Sequence, residues 1–161
     1  MNAVTDISAL PAIGEPFACG LLAARYFVGA QPFALVLSPK DEGEIAPITW
    51  GPRTKRIDGA LSYADGLANT EAMAAAGNKL AKKIRALRIG GHDDWYLPSR
   101  LESLLLFGEL PAEFERDWYW TSTQSAGSCE YAWIQSFSYG SQSYVHKDYG
   151  CRARAVRRVP I

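Results

Sequence analysis

Residues 91–105 read GHDDWYLPSRLESLL, and they contain the boundary from which the rest of the chain can be read. Ser99-Arg100-Leu101-Glu102 is an S-x-x-E capping box, in which each end's side chain accepts a hydrogen bond from the other's orphan amide and so starts a helix. Leu101, Leu104 and Leu105 supply the expected buried face of that helix, and Gly108 its stop. Ahead of the box, His92-Asp93-Asp94 is the one cluster with metal-ligand chemistry. Consecutive residues rarely converge on one ion, and no further His or Cys stands at ligand spacing. A loop bonded to its own backbone through an Asp side chain is therefore expected there.

Upstream, Met73, Ala76, Leu80, Ile84 and Leu87 recur at spacings of three and four, the period of one helix face. One helix is expected, capped by Asn69, with Glu71 in its first turn and Gly90-Gly91 at its end. Lys79, Lys82, Lys83, Arg85 and Arg88 lie toward its C-terminal half, where the helix dipole favours cations. Further upstream, residues 21–28 and 33–38 read as two strands around a Gly29-Ala30-Gln31-Pro32 turn. Residues 40–59, with Pro47, Gly51 and Pro52, read as a loop with a short strand around Trp50. Pro11, Gly14 and Pro16 mark residues 1–16 as an irregular N-terminal arm, which leaves 17–161 as a single domain.

Downstream of Trp118 the helical period gives way to aromatic, Ser and Thr residues punctuated by glycine, the pattern of β-hairpins. Strands are expected at 119–123, 131–138, 142–146 and 151–159, with turns at Tyr139-Gly140 and Asp148-Tyr149-Gly150. The order strand, helix, helix, strand predicts an α+β domain: two helices packed on a mixed or antiparallel sheet with C-terminal β-hairpins. The first and last strands are expected in one sheet. Trp118, Trp120 and Trp133 are expected in the core, and Arg152, Arg154 and Arg157 are expected to pair with carboxylates such as Asp94 or Glu102.

Composition narrows the function. The chain has 161 residues, 48% apolar and 21% charged, with 17 basic against 17 acidic residues, which is the profile of a globular domain. Zero net charge gives no long-range field for nucleic acid. No apolar run approaches the ~18 residues of a membrane span, so no membrane insertion is expected. The N-terminus lacks a basic segment followed by an apolar core, so no signal peptide and synthesis in the cytoplasm are expected. Cys19, Cys129 and Cys151 read as free thiols. With only His92 and His146 as imidazoles, no G-x-S-x-G elbow, and a glycine pair that follows a helix rather than opening one, no catalytic residue, metal or cofactor is expected.

The segment 121–151, TSTQSAGSCEYAWIQSFSYGSQSYVHKDYGC, is rich in Ser, Tyr, Gly and Gln. Binding loops use this mix, because Tyr gives rigid amphipathic area and Ser and Gly adaptable hydrogen bonds. Solvated hairpins enrich the same residues, so both readings stay open on composition alone.

Several blocks together resemble one family. Gly91-His92-Asp93-Asp94-Trp95-Tyr96-Leu97-Pro98-Ser99-Arg100, followed by Glu102, is similar to the D-W-x-L-P-[ST]-R-x-E-L signature of the collagen-like surface protein C-terminal (Lcl) domain. Trp118 to Gln124 resembles its Y-W-[ST]-S-[ST] strand. Ala132-Trp133 with Phe137 and Gly140 resembles its hairpin, and Arg152 to Arg158 its R-x-R-A-V-R strand. The resemblance implies a C-type-lectin-like fold, shared with formylglycine-generating enzymes and with the variable proteins of diversity-generating retroelements. The calcium motifs of true C-type lectins and the cysteine pair of the formylglycine-generating enzymes are absent from this sequence.

What the family implies is a non-catalytic ligand- or receptor-binding protein of phage or prophage origin. It would be a retroelement variable protein or a tail-fibre-associated adhesin, made in the host cytoplasm and carried on the virion. Its expected partner is a protein or glycan on a bacterial cell surface, with other phage tail proteins and self-association as further partners. The expected ligand-binding positions are Ser125, Ser128, Glu130, Tyr131, Ser136, Ser138, Tyr139, Ser141, Ser143, Tyr144, His146, Asp148 and Tyr149. Strand alternation would set them on the face opposite the packed one. A structural tail protein using the fold for assembly is the alternative, followed by a degenerate formylglycine-generating-type enzyme.

Overall fold

The computed structural model describes residues 6–161. The first five residues of the expected arm lie outside the described residues. Among those described, the chain is a mixed α+β structure with two sheets, where one sheet was expected. The first sheet has the order β1-β2-β3-β9, from β1 (Pro16–Phe17), β2 (Gly20–Val28), β3 (Gln31–Leu37) and β9 (Val156–Pro160). The second has the order β4-β8-β5-β6-β7, from β4 (Glu44–Thr49), β5 (Trp118–Gln124), β6 (Tyr131–Ser136), β7 (Gln142–His146) and β8 (Gly150–Arg154). As expected, the N- and C-terminal strands share a sheet: β3 pairs antiparallel with both β2 and β9.

The second sheet exists because the strand expected over 151–159 divides at Ala155. There the Ala155 amide donates to Gly43 O and its carbonyl accepts from Ser38 N, while Val156 and Tyr96 exchange backbone hydrogen bonds. The chain thereby crosses from one sheet to the other. Residues 40–59 are also more ordered than expected. They hold α1 (Lys40–Gly43) and then β4, while Trp50 follows the strand and is buried. Pro47 is accommodated where the β4–β8 register shifts between Ile45 and Ile48.

The single helix expected from Asn69 is two helices, α2 (Gly66–Ala75) and α3 (Lys79–Arg85). Gly77, at φ +84°, closes the first, and Asn78 caps the second by accepting from Ala81 N at 2.9 Å. The cap of α2 is Asp65, not Asn69. The Asn69 side chain instead clasps the Ser62 backbone, accepting from its N–H at 2.9 Å and donating to its carbonyl at 2.8 Å. Met73, Leu80 and Ile84 all reach the core despite the break.

The capping box forms as expected at the start of α4 (Arg100–Glu109), which runs through Gly108. Its most buried residues are Glu102, Ser103 and Leu106, while Leu101, Leu104 and Leu105 are half-buried. Glu102 occupies the centre of the face because its carboxylate accepts from Tyr26 Oη at 2.5 Å, Tyr96 Oη at 2.8 Å and Ser99 N at 2.7 Å. Burial pushes its pKa up. The expected Arg–Glu102 pairing therefore does not occur. Arg157 instead grips Asp94 with two bonds of 2.7 and 3.0 Å, Arg152 pairs with Asp117, and Arg154 donates to the carbonyls of Ser38 and Glu113.

The core has two main parts. One, between α2, α3 and the second sheet, holds Trp50, Met73, Ile84, Trp95, Trp120 and Ile134; the other, between the first sheet and α4, holds Tyr26, Leu35, Tyr96, Leu106, Phe114 and Phe137. Leu10 and Ile13 pack on Leu22, Ala34 and Ile161.

Candidate functional site

The β6–β7 hairpin closes the second sheet, and its register organises the site. Tyr131 faces His146 and Trp133 faces Tyr144 across an antiparallel pair without register shifts. The intervening Ala132 and Ile134 point inward and are buried. Alternation thus puts four rings on the outer face. They touch in sequence: Tyr131 stacks on His146 with centroids 4.4 Å apart, Tyr144 meets Tyr131 edge-on at 5.3 Å, and Trp133 meets Tyr144 edge-on at 5.2 Å. Tyr149, from the turn after β7, lies parallel to His146 at 6.3 Å and extends the row. Tyr144 and Tyr149 are 51% and 58% exposed, so the row is open to solvent.

At the other end the face is closed by α4. Arg100, the first helical residue after the N-cap Ser99, lays its guanidinium 3.4 Å from the Trp133 ring centroid and 4.9 Å from that of Tyr63. Its Nε donates to Gln142 Oε1 at 2.9 Å, and Gln142 Nε2 donates back to Arg100 O at 2.8 Å and to Gln135 Oε1 at 3.0 Å. These bonds cover the Gln135–Gln142 pair, the last outward-facing pair of the hairpin. Burial pushes the Arg100 pKa down.

Of the residues expected to bind ligand, Tyr131, Tyr144, His146 and Tyr149 come together on this face. Ser128, Glu130 and Ser138 are half-buried, while Ser141, Ser143 and Asp148 are exposed. Ser141 and Ser143 have the opposite strand parity from the rings, and Asp148 pairs with Arg53 at 3.5 Å. Tyr139, 85% exposed, sits at the far turn of the hairpin, apart from the row. Ser125 and Ser136 are buried and unavailable to a ligand. The Ser136 hydroxyl accepts from the amides of Ser138 and Tyr139, which ends β6 two residues earlier than expected.

Trp120 is in the core as expected and Trp118 packs partly against it, but Trp133 is half-buried on the outer face. Trp133, Arg100, Gln142 and Tyr63 are the site residues that the sequence reading missed. The repeat Y-x-W at 131–133 and Y-x-H at 144–146 carries the signal for the rings, once the turn fixes which residues face each other.

Elsewhere, a cleft of about 390 Å³ opens between the segment after β4 and the α2–α3 junction, lined mainly by Ile48, Trp50, Pro52, Ile57 and Leu80. Behind it Lys147 is buried, its Nζ donating to Lys55 O at 2.8 Å and Gln124 Oε1 at 2.6 Å. Among the described residues no group of His, Cys, Asp and Glu is placed to hold a metal ion, and the three cysteines are free. No helix there is long and apolar enough to cross a membrane.

Comparison with known proteins bears on the whole of this region. The family model of the Lcl C-terminal domain matches residues 46–157. No curated protein matches the chain. Among solved structures, a fimbrial protein from Bacteroides ovatus is similar at 13% identity and a TM-score of 0.49, over 77% of this chain and 35% of that one. This chain spans about a third of that protein's length.

Proposed function

The chain belongs to the Lcl C-terminal domain family, and from that premise we propose that it is a non-catalytic, adhesin-like protein that binds a protein or glycan of a bacterial surface through the outer face of β6–β7. One observation carries this reading: Tyr149, His146, Tyr131, Tyr144 and Trp133 form an unbroken row of rings on the outside of a sheet whose other face already packs on the core. Contiguous exposed aromatic surface marks an interaction site in a folded protein. Cross-strand packing holds the rings in place before a ligand arrives, so little conformational freedom is lost on binding.

In this reading the adjacency of β2, β3 and β9 reflects a C-type-lectin-like fold, and the protein is of phage or prophage type, carried on a virion. The accessible positions Ser128, Glu130, Tyr131, Ser138, Tyr139, Ser141, Ser143, Tyr144, His146, Asp148 and Tyr149 are then the ones a diversity-generating retroelement would vary, while Trp120, Ala132, Phe137, Gly140 and Arg154 stay fixed as packed scaffold. Gly140 supports that division, because a side chain there would meet Phe107.

Two measurements test the proposal. Fluorescently labelled protein should bind intact cells of a bacterial panel selectively and saturably; absence of binding to every cell type tried would contradict the function. Codon-by-codon sequencing of the gene across a carrier population should concentrate substitutions at the accessible positions. An invariant segment would remove the retroelement part of the reading and leave a fixed binder.

A further inference from the structure

The outer face of β6–β7 has two properties that ring stacking alone does not use. The first is an unneutralised charge. Arg100 makes no ion pair among the described residues, whereas Arg152, Arg157 and Arg158 each hold a carboxylate. Its Nε is committed to Gln142 and its plane lies against Trp133 and Tyr63, which leaves the Nη1 and Nη2 fork without a partner. A guanidinium fixed in this way presents the two parallel donors that match a carboxylate.

The second property is an open edge. Among the described residues, β7 ends the five-stranded sheet and pairs only with β6. Ser136 N donates to Ser141 O, and Lys147 N donates to Glu130 O, at the two ends of the hairpin. Bonded and non-bonded pairs alternate along an antiparallel ladder, so Ser143 and Val145 bond to β6 while the backbone groups of Gln142, Tyr144 and His146 face outward. His146 O is used by Tyr149 N in the following turn. The remaining outward groups belong to residues whose side chains lie on the ring face or beside Arg100.

We infer that β7 accepts an added strand from an acidic peptide. The main chain of an extended segment pairs with Gln142 and Tyr144, its Asp or Glu carboxylate seats on the Arg100 fork, and the apolar side chains two residues along lie on Tyr144 and His146. Charge complementarity with an arginine lacking an acid, and an unpaired main-chain edge, together favour a peptide. An acidic saccharide could use the rings and the guanidinium but not the edge. The inference rests on the binding role proposed above and names the chemistry of the ligand.

The test is selection of a displayed random dodecapeptide library against the full chain, with enriched peptides resynthesised and measured by fluorescence anisotropy. Enriched sequences should carry Asp or Glu with an apolar or aromatic residue two positions away. Arg100→Gln should weaken them about ten- to a hundredfold, the worth of a lost bidentate charge-assisted contact. Arg100→Lys, which keeps the charge without the fork, should give an intermediate loss and serves if the Gln variant does not fold. Tyr144→Pro removes an outward N–H without removing a β6 bond and should weaken binding well beyond the loss that Tyr144→Ala gives for the ring alone, whereas Tyr144→Phe should retain it. Enrichment without acidic residues, affinity indifferent to Arg100, or binding of an oligoglucuronate where no peptide is enriched would overturn the inference. If cells are still bound through the ring face in those cases, only the ligand chemistry fails. If ring substitutions leave cell binding unchanged, the binding role itself fails.

Discussion

The guanidinium carbon of Arg100 lies 3.4 Å from the centre of the Trp133 ring, and the two residues belong to elements that meet only in the folded chain. Arg100 opens α4, and Trp133 is in the middle of β6. The contact joins the capping box to the outer face of β6–β7, so the position of the helix start sets the closed end of the aromatic row.

That coupling is measurable. A double-mutant cycle of Arg100→Met and Trp133→Leu, read by urea unfolding, should give a coupling energy of about 0.5–2 kcal/mol, the range for a partly desolvated cation–π pair. Additive effects would show that the stacking contributes nothing to holding α4 against the hairpin.

The hairpin turn should depend on Gly140. It lies at φ +81°, and a Cβ there would come within 2.3 Å of Phe107 Cε1. Gly29 lies at φ +60° with nothing within 4 Å of the same added atom. Gly29→Ala should therefore cost about 1–2 kcal/mol, the left-handed backbone penalty alone. Gly140→Ala should cost more than that, because overpacking against Phe107 adds about 1–3 kcal/mol. Equal losses of unfolding free energy would contradict the packing described.

Asn78 has two jobs at the helix break. It caps α3 and donates from Nδ2 to Trp50 O at 2.7 Å, fixing the segment that lines the cleft. Asn78→Ala should destabilise by about 1–3 kcal/mol, since it removes a cap and leaves a buried carbonyl unsatisfied. Asn78→Asp, which keeps the cap acceptor but not the Nδ2 donor, should recover part of the loss in the same unfolding assay.

Lys147 gives the fold a pH signature. Burial holds its pKa down from 10.5 to about 8. The unfolded chain then binds this proton more tightly than the folded one, so the lysine contributes stability that grows as pH rises from about 8 toward 10.5. Cys151, pushed up to about 11 by burial, acts in the opposite sense above pH 9. The readout is therefore a difference: wild type should gain on Lys147→Met between about pH 8 and pH 10 in chemical unfolding. A gap constant with pH would refute the assignment.

Local rules carried the sequence reading where the signal was local. Ser99 and Glu102 form their capping box, and β7 begins at Gln142 and ends at His146 as the alternation predicts. The break at Gly77-Asn78 was hidden because Met73, Leu80 and Ile84 keep one apolar spacing across two helices that pack on the same core. The crossing at Ala155 was hidden because an extended chain reads the same whichever sheet it joins, and only the bonds to Ser38, Gly43 and Tyr96 distinguish them. At the site, aromatic composition pointed to the hairpins, but the facing of Trp133 depends on register with Tyr144. The place of Arg100 depends on how α4 docks. Neither is written in residue type, which by itself places Trp133 in the core and Ser125 and Ser136 at the surface, the reverse of the fold.

The central claim is that the aromatic row, and not exposed tyrosine in general, makes the binding face. It is tested most directly by comparing Tyr144→Ala/Tyr149→Ala with Tyr139→Ala for binding to bacterial cells, alongside their unfolding midpoints. The double variant should lose binding at least about tenfold, a modest loss for two truncated aromatic anchors. Tyr139→Ala should bind and unfold as wild type, and the double variant should stay cooperatively folded, less stable by no more than about 2 kcal/mol for the cross-strand ring pairs it removes. Loss of binding through Tyr139, with the row dispensable, would contradict the claim.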